Sequence, residues 1–263
     1  MNSGTILTAL SLVTTAGNLA TYYPKMTRNR AALRPRREQA LMILALALAV
    51  AGFVVGPGIP GYVIGGIAIV PALLFLFGTF TSGLPSQTPA VVVGTAAPDF
   101  SLVDADGRPF RLSELAGSPV LLKFYRGYWC PYCVAELAQL DRYAKDFAAL
   151  GVKLVAVSSD RVDELAPFRR KYDWAIRLVA DPALAAHRLY NVQSRKFTPR
   201  RGPFRDLAIP TTILIDRDGR VLWIEQTPDF RVRPQADMVL AKARALLPGS
   251  TPEGAASCDV CAA

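Results

Sequence analysis

The chain has 263 residues, 51% of them hydrophobic, with a mean hydropathy of +0.25 and a formal net charge of +9. That is too apolar for a purely soluble protein of this size, and the single histidine, His187, nearly excludes Ser-His-Asp catalysis and histidine-rich metal sites. The positive charge is local: Lys25, Arg28, Arg30, Arg34, Arg36 and Arg37 share one stretch with Glu38, and outside it 24 Lys and Arg face 20 Asp and Glu with no aromatic-interleaved basic stripe, so nucleic acid is not expected as a partner.

Residues 4–23 are apolar but diluted by Thr, Ser and Asn, and read equally well as a membrane span or as a helix lying in the interface. The basic stretch follows. Residues 39–55 and 62–80 carry no charge and are separated by GPGIPG, which no helix runs through intact; they read as a transmembrane hairpin. Pro71 is tolerable inside a membrane helix, and Gly61 and Gly65 form a small-xxx-small pair that would let helices approach. By the positive-inside rule the basic stretch stays cytoplasmic, and a hairpin after it returns the chain to that side of a bacterial-type inner membrane.

Residues 81–97 read as a linker rich in Ser, Thr, Pro and Gly. Beyond them the pattern is α/β. FSLVDADGRPFRL has a hairpin signal at Asp106 and Gly107, and residues 119–125, PVLLKFY, read as a central strand buried on both faces. Residues 130–150 place Val134, Leu137, Leu140, Tyr143 and Phe147 on one helical face ended by Gly151. A second buried strand follows at 152–158, then a helix containing Pro167, and a short helix with Asp181 as N-cap and Pro182 at its first position. In that helix His187 has a structural or surface role. Residues 210–226 read as two strands around Asp218 and Gly219, residues 234–247 as a closing helix, and the remainder as a flexible tail. The sum is one three-layer sheet with helices on both sides.

All four cysteines fall in C-x-x-C pairs, Cys130 with Cys133 and Cys258 with Cys261. Paired thiols mean redox chemistry or metal. Cys130 follows a strand and opens a helix, where free backbone N–H groups and the helix dipole favour a thiolate, while Cys133 lies one turn further in, within reach of a mixed disulfide or sulfenic acid on Cys130. Cys130 is therefore expected as nucleophile and Cys133 as the resolving cysteine. Pro131 fits the first helical turn, and Trp129 and Tyr132 would flank the sulfur, leaving one thiol accessible and one shielded.

The order strand, FYRGYWCPYC, amphipathic helix, VAVSSD, DPALAAHRLYNV and AIPTTILIDRDGRV resembles the thioredoxin superfamily, in particular the peroxiredoxin-like redoxins of the alkyl hydroperoxide reductase and thiol-specific antioxidant group, from about Gly94 to Leu247. The resemblance implies a thioredoxin-like three-layer α/β/α fold after the membrane hairpin. It also implies a thiol-dependent oxidoreductase that reduces peroxides or protein disulfides, with a thioredoxin-like or other thiol electron donor and no cofactor. Pro210, followed by Thr211, matches the superfamily's cis-proline facing the cysteines. The chain departs from typical peroxiredoxins at Gly127, three before Cys130, and at Pro210, where those enzymes carry an arginine that reaches the peroxidatic cysteine. Arg126 is the substitute cation. Dedicated thiol-disulfide exchange without peroxidase activity and a non-catalytic redox-sensing membrane module are the alternatives. Cys258 and Cys261 are read as a relay dithiol for the first pair, as a tail dithiol with no partner, or as half of a four-cysteine zinc site.

Overall fold

The computed structural model describes residues 2–85, 87–198 and 202–247, and the side chains of 195–198 and 202–205 are not among those described. Cys258 and Cys261, with the rest of the expected tail, lie outside the described residues. The first 80 residues make three helices, α1 (Ser3–Thr27), α2 (Arg36–Val55) and α3 (Gly58–Phe80). The break between α2 and α3 is at Gly56 and Pro57, where Gly56 takes the left-handed conformation that ends a helix. Both α2 and α3 are long and apolar enough to cross a membrane.

The bundle is packed inside out. α1 buries Gly4, Thr8, Ser11, Thr15 and Asn18 at steps of three and four, and exposes Ile6, Leu10 and Val13. The buried polar groups are answered by carbonyls of a neighbouring helix: Ser11 Oγ donates to Ala45 at 2.6 Å and Asn18 Nδ2 to Glu38 at 3.1 Å. Small residues face them. Ala45, Ala49, Ala68 and Ala72 are fully buried, a Cβ on Gly52 would lie 2.8 Å from the Gly4 carbonyl, and one on Gly65 would lie 2.4 Å from the Phe53 ring. Gly61 and Gly65 thus sit where side chains would collide, while Val50, Val63, Ile67, Leu73, Leu74 and Phe77 face outward. In water that surface would turn inward; close approach through small residues with interhelical hydrogen bonds is how helices pack in lipid. Because α1 follows the other two along its length, a spanning role fits it better than an interfacial one.

α1 runs against α2 and alongside α3, as the contacts Asn2 with Gly56, Asn18 with Glu38 and Gln39 with Thr79 require. The C-terminus of α1, the N-terminus of α2 and the C-terminus of α3 therefore share one end, and the α/β region is attached there. The segment read as a linker is hydrogen-bonded to that region, with Leu84 N–H on the Pro228 carbonyl at 2.8 Å and Gly94 N–H on the Val221 carbonyl at 2.7 Å.

The α/β region is built on β1 (Ser101–Asp104), β2 (Pro109–Arg111), β3 (Val120–Tyr125), β4 (Lys153–Ser158), β5 (Arg177–Ala180), β8 (Thr211–Ile215) and β9 (Val221–Gln226), in the order β2-β1-β5-β4-β3-β8-β9. β3 pairs in parallel with β4 and antiparallel with β8. Every residue of β3 is buried, and its period of two divides the core. Leu121 and Tyr125 join the side covered by α4 (Pro131–Arg142), α5 (Ala144–Ala149), α6 (Val162–Lys171) and α8 (Ala236–Leu246); Val120, Leu122 and Phe124 join the side covered by α7 (Ala185–Leu189) and the incoming chain.

Some expectations shift. The helix foreseen over 130–150 is two, α4 and α5, meeting at Tyr143. The helix after Asp181 starts at Ala185 instead of Pro182, yet the Asp181 carboxylate still accepts the Ala185 N–H at 2.7 Å, so it supplies the cap from further back. His187 is buried, with Nδ1 2.7 Å from Asp181 Oδ2. Two features lack a clear sequence signal: the four-residue β5, and a separate antiparallel pair, β6 (Gln193–Thr198) and β7 (Gly202–Ala208), whose sequence mixes charges with Gly and Pro instead of alternating apolar residues.

Candidate active site

β3 delivers the chain to the site and α4 leaves it. Between them Gly127 turns at φ 148°, a left-handed conformation, and a Cβ there would lie 2.7 Å from Asp160 Oδ1. Asp160 holds the turn by accepting the Tyr128 N–H at 2.9 Å and the Ser158 hydroxyl at 2.8 Å. Cys130 then serves as N-cap of α4 and Pro131 occupies its first position, as expected. The carbonyl of Cys130 accepts the N–H groups of Cys133 and Val134, each at 3.0 Å.

Both cysteines are free and buried, Cys130 at 1% exposure and Cys133 at 0%. The expectation of one accessible and one shielded thiol is thus corrected. The cover comes from beyond the motif: the Tyr132 hydroxyl bonds the Tyr22 hydroxyl of α1 at 3.0 Å, and the Phe230 ring packs edge-on against Tyr132. Arg231 ties down the same junction, donating to Tyr22 Oη at 3.3 Å and to Asp229 Oδ2 at 2.8 Å, and Asp229 in turn accepts the Ser82 hydroxyl at 2.7 Å. Asn29, between α1 and α2, donates to the Pro234 carbonyl at 3.0 Å. Burial, reinforced by Tyr22, holds the Tyr132 phenol well above its usual range, so it stays a neutral hydroxyl.

Arg126 is buried. Its guanidinium lies 4.1 Å from the Phe230 ring centroid and 5.2 Å from that of Trp129, so Trp129 engages the cation as well as the turn. Pro210 differs from expectation: among the described residues no peptide bond is cis. The chain leaves β7 extended, with the Ile209 N–H on the Val192 carbonyl at 2.7 Å and the Ile209 carbonyl accepting the buried Thr211 hydroxyl at 2.8 Å, and these bonds fit a trans path into β8.

Sequence reading missed the charged groups beneath the dithiol. Arg233, from the segment after β9, places Nη2 3.4 Å from Cys133 Sγ and Nε 3.0 Å from Glu136 Oε2. Glu136 Oε1 lies 2.6 Å from Lys123 Nζ, which also donates to the Thr212 hydroxyl at 2.9 Å. All three ionic side chains are buried. Two signals stood in the sequence: a lysine inside the apolar strand PVLLKFY, and a glutamate three residues after Cys133 on the inward face of α4.

The cation expected for Cys130 therefore stands at Cys133. Burial works against charge on Cys133, but the hydrogen bond from Cys130 and the Arg233 guanidinium hold its thiol well below the usual range. The same hydrogen bond, then burial, pushes Cys130 well above it. One proton is shared by the pair and rests on Cys130.

With this geometry in view, comparison with known proteins is consistent. A family model for the AhpC/TSA family matches residues 93–224, half of the chain, beginning beyond the three helices. The thiol-disulfide oxidoreductase ResA of Bacillus cereus is 27% identical over 175 residues, 65% of this chain and 91% of the relative. A putative peroxiredoxin of Mycobacterium tuberculosis is 33% identical over 162 residues, 59% of this chain and 98% of the relative. The crystal structure of peroxidoxin BcpB from Mycobacterium tuberculosis superposes with a TM-score of 0.50 at 29% identity, covering 59% of this chain and 98% of that one. Xanthomonas campestris peroxiredoxin Q gives a TM-score of 0.51 at 25% identity, covering 60% and 97%. The dithiol at a strand-to-helix turn, the thioredoxin-like sheet and these relatives agree: the chain is a thiol-dependent oxidoreductase and belongs to the AhpC/TSA family.

Proposed function

We propose that Cys130 and Cys133 form the dithiol that reduces the substrate, a peroxide or a protein disulfide, and that Cys133 carries the reactive charge. The observation that carries this reading is the Arg233 guanidinium on Cys133 Sγ at 3.4 Å. It supplies, from the segment after β9, the cation that Pro210 leaves missing at the head of β8. Arg126, between Trp129 and Phe230, is a second cation near Cys130. With a disulfide substrate the Cys133 thiolate attacks one sulfur, and Cys130 then displaces the product by closing the internal disulfide. With a peroxide the first product is a sulfenic acid on Cys133, which Cys130 resolves with loss of water. Thr211, Pro131 and Pro210 take supporting places around the turn.

Stopped-flow oxidation of the reduced protein by hydrogen peroxide, alongside reduction of a protein disulfide, tests the reading in wild type, Cys130→Ser and Cys133→Ser. Fast oxidation retained in Cys130→Ser and lost in Cys133→Ser is the expected result. The second reading, disulfide exchange alone, is favoured by Pro210 in place of an arginine; slow peroxide oxidation beside fast disulfide reduction would establish it.

The inside-out bundle supports membrane anchoring by three spans. Arg28 and Asn29 bond to the α/β region, through Gln139 and through Pro234, so the basic stretch lies on the same side as the dithiol. The positive-inside rule then makes that side cytoplasmic. A reporter active only in the cytoplasm, fused after residue 263, tests this, and an inactive but well-expressed fusion would refute it. A relay through Cys258 and Cys261 remains part of the proposal; replacing both by serine should slow turnover with a physiological thiol donor, and unchanged turnover would remove them from it.

A further inference from the structure

Lys123, Glu136 and Arg233 come from β3, α4 and the segment after β9, and are 1%, 2% and 4% exposed. Two cations share one carboxylate, so the three sum to one net positive charge in a buried place. Uncompensated buried charge is strongly destabilising. The missing anion is the Cys133 sulfur, which Arg233 touches. Two cations, a carboxylate and a thiolate make a neutral set of four, but only while the dithiol is reduced.

Closing the disulfide removes the negative sulfur and restores the net positive charge. Arg233 does not give up a proton, and Glu136 has none to give. That leaves Lys123, which burial already pushes toward its neutral form despite Glu136. We propose that Lys123 is the redox-linked proton carrier of the dithiol, an ammonium while Cys130 and Cys133 are reduced and a neutral amine once they are joined. The inference rests on the dithiol reading above. Lys123 is faced by Glu136 and Cys133 from α4, by Arg233, and by the Thr212 hydroxyl from β8. Cys133 is faced by Cys130, Arg233 and the backbone N–H of Arg126; Tyr125, near it on β3, is held well above the usual phenol range by burial and by Asp160, and keeps its proton.

The step balances. The reduced site holds a Cys130 thiol, a Cys133 thiolate and a Lys123 ammonium. The Cys133 thiolate attacks a protein disulfide, the substrate S–S bond breaks, and the first thiolate leaves. Cys133 is now uncharged, so what raised the Cys130 thiol is gone and Arg126 and Arg233 favour its ionisation. Cys130 loses its proton and attacks Cys133 Sγ, expelling the second substrate thiolate. Two electrons pass to the substrate, and two protons, from Cys130 and Lys123, convert both leaving thiolates to thiols. Without Lys123 the site would release only one.

Two measurements on the wild-type, full-length protein in detergent decide the matter. Thiolate absorbance of the reduced protein should be present and flat from about pH 6 to about pH 8. The equilibrium of the CPYC pair with dithiothreitol, which itself releases two protons per disulfide over that range, should also be flat. In Glu136→Gln, where neutral Lys123 with charged Arg233 already balances the thiolate, that equilibrium should move about tenfold per pH unit toward reduced protein as pH rises. A wild-type equilibrium that moves about tenfold per pH unit with the thiolate present overturns the proposal. So does a flat one with no thiolate, or a Glu136→Gln variant that keeps its thiolate and stays flat. If Glu136→Gln fails to fold, the wild-type pair of measurements decides. A protein that forms no CPYC disulfide at any pH refutes the dithiol reading itself, and is told apart from these outcomes by its failure to oxidise.

Discussion

In the helical bundle the buried side chains are Thr8, Ser11, Thr15 and Asn18, and the exposed ones are valines, leucines, isoleucines and phenylalanines. In the α/β region the order is reversed: Leu121, Tyr125, Leu137, Leu140 and Phe147 are inside. The buried polar groups also differ in kind. Those of α1 are neutral and meet single backbone carbonyls, spread along the helix. Those under Cys133 are charged, drawn from three elements and gathered at one sulfur. Scattered neutral polarity holds helices together where the surroundings are apolar; concentrated charge fixes the ionisation of one group. The two regions meet at Tyr22 and Tyr132, inside the CPYC motif.

Substitutions on either side of that junction should separate the two uses of polarity. The largest effect belongs to the sulfurs: Cys133→Ser and Cys130→Ser should each reduce steady-state turnover to background, and residual turnover in both would show that the reaction runs elsewhere. Next comes Glu136→Ala, which leaves Lys123 and Arg233 facing each other without their carboxylate and should lower stability by about 3–5 kcal/mol in denaturant titration. Ser11→Ala, the bundle counterpart, should cost only about 0.6 kcal/mol. Equal losses would erase the distinction between the regions. Gly127→Ala should fall between them, with strain on the order of 1–3 kcal/mol and displacement of Asp160. Tyr22→Phe removes one hydroxyl contact, worth about 0.5–1.5 kcal/mol, and should speed alkylation of the dithiol by opening the junction.

The reduced protein should also show a linked pH dependence. Cys133 is an acid whose folded pKa is depressed. Its contribution to stability is fully present above the unfolded thiol value of about 8.5 and is lost as pH falls through the folded value. Stability of the reduced protein should therefore rise with pH across that interval, and Cys133→Ala should flatten the rise.

Much of this was legible in the residues. Continuous apolar runs announced β3 and β4, Gly56 and Pro57 announced the break between α2 and α3, and CPYC at a strand end announced the helix N-terminus. What was not legible required chain-distant contacts. Arg233 lies 100 residues from the cysteine it touches, and no local pattern distinguishes it from a surface arginine. Tyr22 looked like part of a diluted apolar helix until the fold set it against Tyr132. Lys123 and Glu136 were visible as anomalies, a lysine in a buried strand and a glutamate on an inward helical face, but their meaning depended on each other. β6 and β7 stayed hidden because their charges and glycines obey no period.

The central claim is that Cys133 bears the charge, because Arg233 and the buried ions beneath it hold it there. The direct measurement is a thiolate titration by ultraviolet absorbance on reduced full-length protein carrying Cys130→Ser, Cys258→Ser and Cys261→Ser, which leaves Cys133 as the only thiol. Ionisation well below the ordinary thiol range is the expected result, returning toward that range when Arg233→Gln is added. A midpoint near the ordinary value of about 8.5, unchanged by Arg233→Gln, would contradict it.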